Sequence, residues 1–139
     1  MINRRFVASS LVKIAKMLEA SSPFKMTELE LELYHALETL HSILEDAKKD
    51  LEKFLEKDKD DRDEAEIQFR LDELDEKVRS LPKVTDGFFQ MMEEADRNLS
   101  KAYEAIRDGE EDSLLETKAD LELFAGRVFS EYQNLRNKE

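Results

Sequence analysis

The chain has 139 residues, 40% of them charged, with 3 Gly and 2 Pro. So few turn-forming residues exclude a β-rich or α/β fold of this length and favour long helices. Residues 1–18 carry four basic residues and no acidic one, so the rest of the chain sets 18 basic against 34 acidic residues. That acidic body repels nucleic acid and anionic membranes.

Two further classes are excluded by composition. The chain has no Cys, which excludes disulfides, thiol catalysis and a Cys-based zinc site. No stretch of the sequence approaches the roughly 20 apolar residues of a membrane span. We expect a cytoplasmic protein.

The first element is a short amphipathic helix predicted over residues 4–20. Its apolar side chains recur at spacings of four, three and four residues, on one helix face: Val7, Leu11, Ile14 and Leu18. Four cationic side chains flank that face and are the candidate contacts to an anionic partner or a membrane: Arg4, Arg5, Lys13 and Lys16. Residues 1–20 therefore form a separate cationic segment. It completes the bundle, contacts a membrane or anionic partner, or serves as a targeting or processing segment.

A second helix is predicted to begin at Thr27, which forms a capping box with Glu30. Its apolar side chains alternate at spacings of four and three, the coiled-coil pattern that we call a seam: Leu33, Leu37, Leu40, Leu44, Ala47, Leu51 and Phe54. Residues 57–63 contain no apolar side chain, which predicts a solvated turn.

A third helix is predicted from about Asp63, and its seam keeps one phase from Ile67 to Ile106. Pro82 interrupts this run, because proline removes a helical hydrogen bond and clashes with the preceding turn. The preserved phase favours a helix kinked at Pro82 over one that breaks between residues 80 and 87. Gly109 is expected to end this helix, and Ser113 to cap the last one.

These elements predict an all-α fold, an elongated antiparallel helical bundle or coiled-coil hairpin. It has three long helices, the third kinked or broken near Pro82, plus the short N-terminal helix. Residues 27–137 form its acidic bundle. The apolar faces of the helices are narrow up to Leu81 and broader after Phe88. Residues 85–137 should therefore form the thicker part of the core. The first hairpin then extends from that core or folds back onto it.

Candidate metal sites fail on spacing. Both Glu-x-x-His pairs, which end at His35 and His41, lie on one helix, whereas a di-iron carboxylate site needs one pair on each of two helices. The acidic run 58–63 lacks the Gly and the Glu of a calcium loop. Without a phosphate-binding Gly motif or a histidine placed for a catalytic triad, we expect no metal, no cofactor and no enzyme.

Candidate partner contacts are apolar side chains with an adaptable or exposed setting. The most apolar short stretch after the first helix belongs to the core or to a partner surface, because Met repacks easily: Phe88, Phe89, Met91 and Met92. Phe69 lies off the seam among polar residues and is a second candidate contact.

Residues 4–16 (RRFVASSLVKIAK) resemble the N-termini of uncharacterised proteins of large tailed bacteriophages. Residues 17–20 (MLEA) resemble the site cut by the prohead protease of some such phages, with Met17 where Leu or Ile is usual. This resemblance covers less than a fifth of the chain; it implies a virion or accessory protein and removal of residues 1–19. The body is similar to spectrin-like three-helix bundles, which implies a fold and no function.

Three functions compete. The first is a non-enzymatic structural or interaction protein, a scaffold or adaptor that binds helical partners, and itself as a homo-oligomer, through its seams. The second is an acidic DNA mimic that inhibits a nucleic-acid-binding protein without binding nucleic acid itself. The third is peripheral membrane association through residues 4–18.

Overall fold

The structure is a computed structural model that describes residues 27–137. Within that range the chain forms four α-helices and no strand, which confirms the all-helical fold. A 3₁₀ turn at Lys59–Asp61 joins the first two helices. The helices are α1 (Glu28–Glu56), α2 (Glu64–Arg79), α3 (Asp86–Asp108) and α4 (Glu111–Arg136). The N-terminal helix expected at 4–20 lies outside the described residues.

Most helix boundaries follow from local hydrogen bonds that the sequence predicts. The capping box at the start of α1 is confirmed: the Glu30 amide donates to Thr27 Oγ1 (3.1 Å), and the Thr27 amide donates to Glu30 Oε1 (3.0 Å). Asp63 accepts from the Glu66 amide and caps α2. Gly109 ends α3 in the left-handed region at φ 71°, where a side chain would be strained.

The preference for a helix kinked at Pro82 is wrong, and the alternative of a break near Pro82 is right. The chain breaks after Arg79, and α3 begins at Asp86 and runs back along α2. Proline disfavours helical geometry in the residue before it, and Thr85 supplies a new cap by accepting from the Phe88 amide at 3.0 Å. Residues 27–137 therefore form four helices and not the predicted three. The apolar repeat keeps one phase across the break because the seams of α2 and α3 face the same core.

The cap predicted at Ser113 is also wrong. Helix α4 begins at Glu111, two residues earlier, so Ser113 lies inside its first turn. Its N-cap residue is Glu110, whose side chain makes no capping hydrogen bond.

The helices form an up-down-up-down bundle, in which each helix packs against its sequence neighbour and α1 also packs against α4. Helices α2 and α4 stand at opposite corners. The side-chain contacts that fix the antiparallel directions are Asp50–Arg70, Arg79–Asp96, Glu94–Arg127 and Tyr34–Tyr132. The hairpin at 28–81 is thus no separate extension, because it folds onto α3 and α4.

One hydrophobic core runs through the bundle and contains nearly all seam side chains. Its largest fully buried side chains come from all four helices: Phe88, Phe124, Leu40, Leu44, Leu51, Leu71, Leu99, Ile106, Leu114 and Leu121. Because the seams are buried against each other, they are not surfaces on which a partner can bind. Any partner of this folded form must contact the outer faces.

Candidate interaction surfaces

The predicted partner-contact residues divide by burial. Phe88 is 1% exposed and Met92 is equally part of the core, so neither is available as a contact in this fold. Phe89 and Met91 are half-buried against the core, and the Lys83 ammonium lies 4.4 Å from the centre of the Phe89 ring. The stretch 88–92 is therefore mainly a packing element.

Phe69 is 64% exposed on α2, as its position off the seam predicts. It does not lie with the stretch 88–92. Because α2 and α3 are antiparallel, Phe69 near the start of α2 faces the end of α3, whereas Phe89 lies at its beginning. The structure thus leaves Phe69 isolated from the other candidates. The four cationic candidates, Arg4, Arg5, Lys13 and Lys16, lie outside the described residues.

The two histidines make ordinary surface contacts. His35 is exposed and packs edge-on against Tyr34 at 5.6 Å. His41 is half-buried, and its ring centre lies 5.1 Å from that of Phe129. Between residues 27 and 137, no group of three or more His, Cys, Asp and Glu side chains is placed to hold a metal ion.

The segment 57–63 contains one charged side chain, Arg62, that links two helices, and the polar sequence of the segment gives no sign of this role. The Arg62 side chain is 9% exposed, and its guanidinium donates to the carbonyls of Lys57 and Leu55, both at 3.1 Å. Two further N–H groups bind the Glu111 carboxylate at 2.9 and 3.2 Å. Arg62 also lies over the Phe54 ring. It therefore ties the end of α1 to the start of α4, and the segment is more than a solvated turn.

A pair of carboxyl groups between α2 and α3 is the most perturbed acidic site among the described residues. Burial, reinforced by a hydrogen bond and the charge of Asp96, raises the pKa of Asp75 to about 7. The hydrogen bond from Asp75 lowers the pKa of Asp96, and Arg79 lowers it further. The pair thus shares one proton near neutral pH, with the Arg79 guanidinium 2.8 Å from Asp75 and 3.2 Å from Asp96.

Beside this pair lies a groove of about 270 Å³, lined by Leu71, Asp72, Asp75, Arg79, Leu99, Ser100, Tyr103, Glu104 and Arg107. A carboxyl group with a pKa near 7 is what general acid–base catalysis requires. Here, however, Arg79 contacts Asp75 Oδ2 and donates to Asp96 Oδ1, while the other Asp75 oxygen, Oδ1, is buried without a hydrogen-bond partner. Arg79, on α2, thus bridges to Asp96 on α3, and the strained partner in this contact is the Asp75 carboxyl group.

Helix α4 carries apolar residues on its outer side as well as in the core. Leu123 is 71% exposed and Leu115 is 52% exposed. With Ala119 and Gly126, both exposed, they follow spacings of four, four and three residues and share one helix face. We call these four residues the outer strip. None of them is charged, in a chain that is 40% charged.

Next to the outer strip, aromatic side chains fill the groove between α4 and α1. Phe129, 42% exposed, borders the strip and packs against His41. Tyr34 and Tyr132 stack with ring centres 4.8 Å apart, and the Tyr34 hydroxyl donates to the Tyr132 hydroxyl at 3.1 Å. Burial and this hydrogen bond raise the pKa of Tyr34 to about 12. The tyrosines tie α1 to α4, while Phe129 extends the apolar surface.

Sequence reasoning missed both the outer strip and the carboxyl pair. The strip had a readable signal: Leu114-Leu115 and Leu121 followed by Leu123 place leucines on opposite faces of one helix. Asp75 and Asp96 are separated by a break in the helix, and only the turn at 80–85 brings them together. Nothing in the local sequence distinguishes them from other acids.

Comparison with protein-family models, with curated proteins and with solved structures found no match to this chain. In the part that the structure describes, no helix is long and apolar enough to cross a membrane.

Proposed function

We propose that the protein is a non-enzymatic interaction protein, a helical adaptor that binds a helical protein partner through the outer strip of α4. The observation that carries this proposal is the exposure of Leu115 and Leu123 on a helix whose opposite face already fills the core. Three of the six large apolar side chains exposed among residues 27–137 lie on α4, the third being Phe129. An apolar face of this kind on an otherwise charged surface is typical of a protein contact.

The expected partner is an amphipathic helix with an apolar stripe. Helices pack through ridges formed by side chains three and four residues apart, which is the spacing of the outer strip. Ala119 and Gly126 permit close approach of a second helix, since a Cβ at Gly126 would meet no atom within 4 Å. Phe129 offers an aromatic anchor at the edge of the contact.

The test is loss of partner binding when the strip is charged. Complexes recovered from an extract of the native host with the wild-type protein should be lost with the L115K/L123K double variant. The matched control is Q90K/S100K, which adds the same charge at exposed positions of α3. Equal recovery with both variants would refute the proposal. Light scattering distinguishes a second copy of the chain from a different protein as the partner.

The alternatives are less well supported by the described surfaces. A DNA mimic requires unpaired carboxylates in phosphate-like rows, but several acids here are neutralised by bases, as in Lys118–Glu122 and Arg127–Glu94. Competition by added DNA for the protein partner would favour it. Membrane association depends on residues 4–18, outside the described range, and flotation with liposomes tests it. An accessory role in a phage remains an implication of the N-terminal resemblance.

A further inference from the structure

We infer that the cationic segment 4–18 of the same chain docks on the outer strip of α4, parallel to that helix. The inference rests on the proposed function, because it concerns the same strip and makes its exposure to a partner dependent on this segment. Three features support it: the equal lengths of the two apolar faces, the reach of the linker formed by residues 19–26, and the complementary charges.

The apolar faces match in length. In the sequence of the segment, four apolar residues from Val7 to Leu18 recur at helical spacing over 12 residues. The outer strip from Leu115 to Gly126 also covers 12 residues. At 1.5 Å per residue, both stretches extend for roughly 16 Å, so one helix would cover the other from end to end.

The linker formed by residues 19–26 is long enough to reach the outer strip, and it determines the direction in which the segment lies along α4. The contact between Tyr34 and Tyr132 places the start of α1 beside the end of α4. From there, Gly126 lies roughly 18 Å back along α4 and about one helix diameter, roughly 10 Å, to the side. The eight residues 19–26 can span up to about 28 Å. Residue 18 would thus lie near Gly126 and the start of the segment near Leu115, which makes the two helices parallel.

The charges are complementary. The segment 1–18 carries four bases and no acid. Two acids lie close to the strip along α4, Asp112 and Glu116. The nearby bases already have partners, because Lys118 binds Glu122 at 2.8 Å and Arg127 binds Glu94. A cationic helix would therefore meet an acidic border without displacing those pairs.

Accessibility of a single thiol tests the inference. The chain has no Cys, so Ala119→Cys places one reporter in the middle of the strip, and Ala65→Cys places a control on the exposed side of α2. In the full chain, Cys at 119 should react about five-fold more slowly with a thiol-reactive dye than in the same chain carrying L11D/I14D. The rate at position 65 should not respond to L11D/I14D.

The controls separate the possible occupants. Protection that is the same at low and high protein concentration supports docking within one chain, whereas protection that grows with concentration assigns the strip to a second copy and overturns the inference. Equal rates at position 119 with and without L11D/I14D also overturn it. If those equal rates accompany flotation with anionic phospholipid vesicles that depends on residues 4–18, the segment belongs to a membrane. None of these measurements includes a partner protein, so their failure is distinct from loss of partner binding by L115K/L123K.

Discussion

Helices α3 and α4 are similar in length, 23 and 26 residues, and both fill the core with one face. Their outer faces differ. The large apolar side chains of α3 are all buried or half-buried, and its exposed positions are almost entirely polar. On α4, Leu115, Leu123 and Phe129 remain exposed. Since stability of the bundle accounts for the inward faces of both helices, the outward face of α4 is the part that folding leaves unexplained.

The largest expected effect contrasts the two faces of α4. Leu121→Ala removes a fully buried side chain and should lower the free energy of unfolding by about 2–5 kcal/mol, because the packed core cannot close the cavity. Leu123→Ala, two residues away and 71% exposed, should change it by less than about 0.5 kcal/mol in chains that also carry L11D/I14D, which keep residues 4–18 off the strip. Urea denaturation of both variants measures this. A large loss from Leu123→Ala would mean that the strip serves stability and would weaken the case for a binding face.

The next effect concerns the link between α1 and α4. Arg62→Ala leaves two carbonyls and the Glu111 carboxylate without their donor, and should lower the free energy of unfolding by about 1–3 kcal/mol. The control Arg107→Ala removes a guanidinium that is 63% exposed and should leave the denaturation midpoint unchanged. If the two variants were equally stable, Arg62 would be an ordinary surface charge.

The sequence predicts the core faces of the helices but not the side-chain contacts between them. The period of apolar residues identifies the core faces of all four helices, because a helix repeats every 3.6 residues wherever it packs. The same repeat gives no sign of the break at Pro82, because two consecutive helices that face the same core can keep one phase across a turn. Arg62 and the Asp75–Asp96 pair depend on where the chain reverses. Their partners are far apart in the sequence, so local patterns cannot reveal them.

The site is predicted less well than the fold for a related physical reason. An exposed apolar residue is recognisable only once the core face of its helix is known, and on α4 both faces are apolar in the sequence. Phe88 and Met92 belong to the most apolar stretch of the acidic body and are buried for that reason. Phe69 is exposed, as its polar neighbours and the narrow seam of its helix indicate, and its role as a partner contact stays a prediction.

The interface between α2 and α3 should respond to pH with a defined sign. Asp75 has a raised pKa in the folded chain, about 7 against an ordinary 3.8, so the proton stabilises the folded state. This contribution is complete below about pH 4 and is lost as the pH rises through 7. Asp75→Asn keeps the hydrogen-bonding shape without the charge. It should raise the free energy of unfolding by at least about 1 kcal/mol more at pH 8 than at pH 5, because each unit of pKa shift corresponds to about 1.4 kcal/mol.

Urea denaturation at pH 5 and pH 8 measures this difference. The control Glu73→Gln changes an exposed acid on the same helix and should change the free energy of unfolding equally at both pH values. A gain from Asp75→Asn that is the same at both pH values would contradict a shared proton between Asp75 and Asp96.

The smallest expected effects concern the N-cap residues of α3 and α4. Thr85 caps α3 through the Phe88 amide, so Thr85→Ala should lower the free energy of unfolding by about 1 kcal/mol. Glu110 stands at the same position of α4 without a capping hydrogen bond, so Glu110→Asn should raise it by about 0.5 kcal/mol. Thermal denaturation of both variants checks the opposite signs. A loss from Glu110→Asn would show that Glu110 stabilises the start of α4 through its charge near the helix N-terminus, which an amide cannot replace.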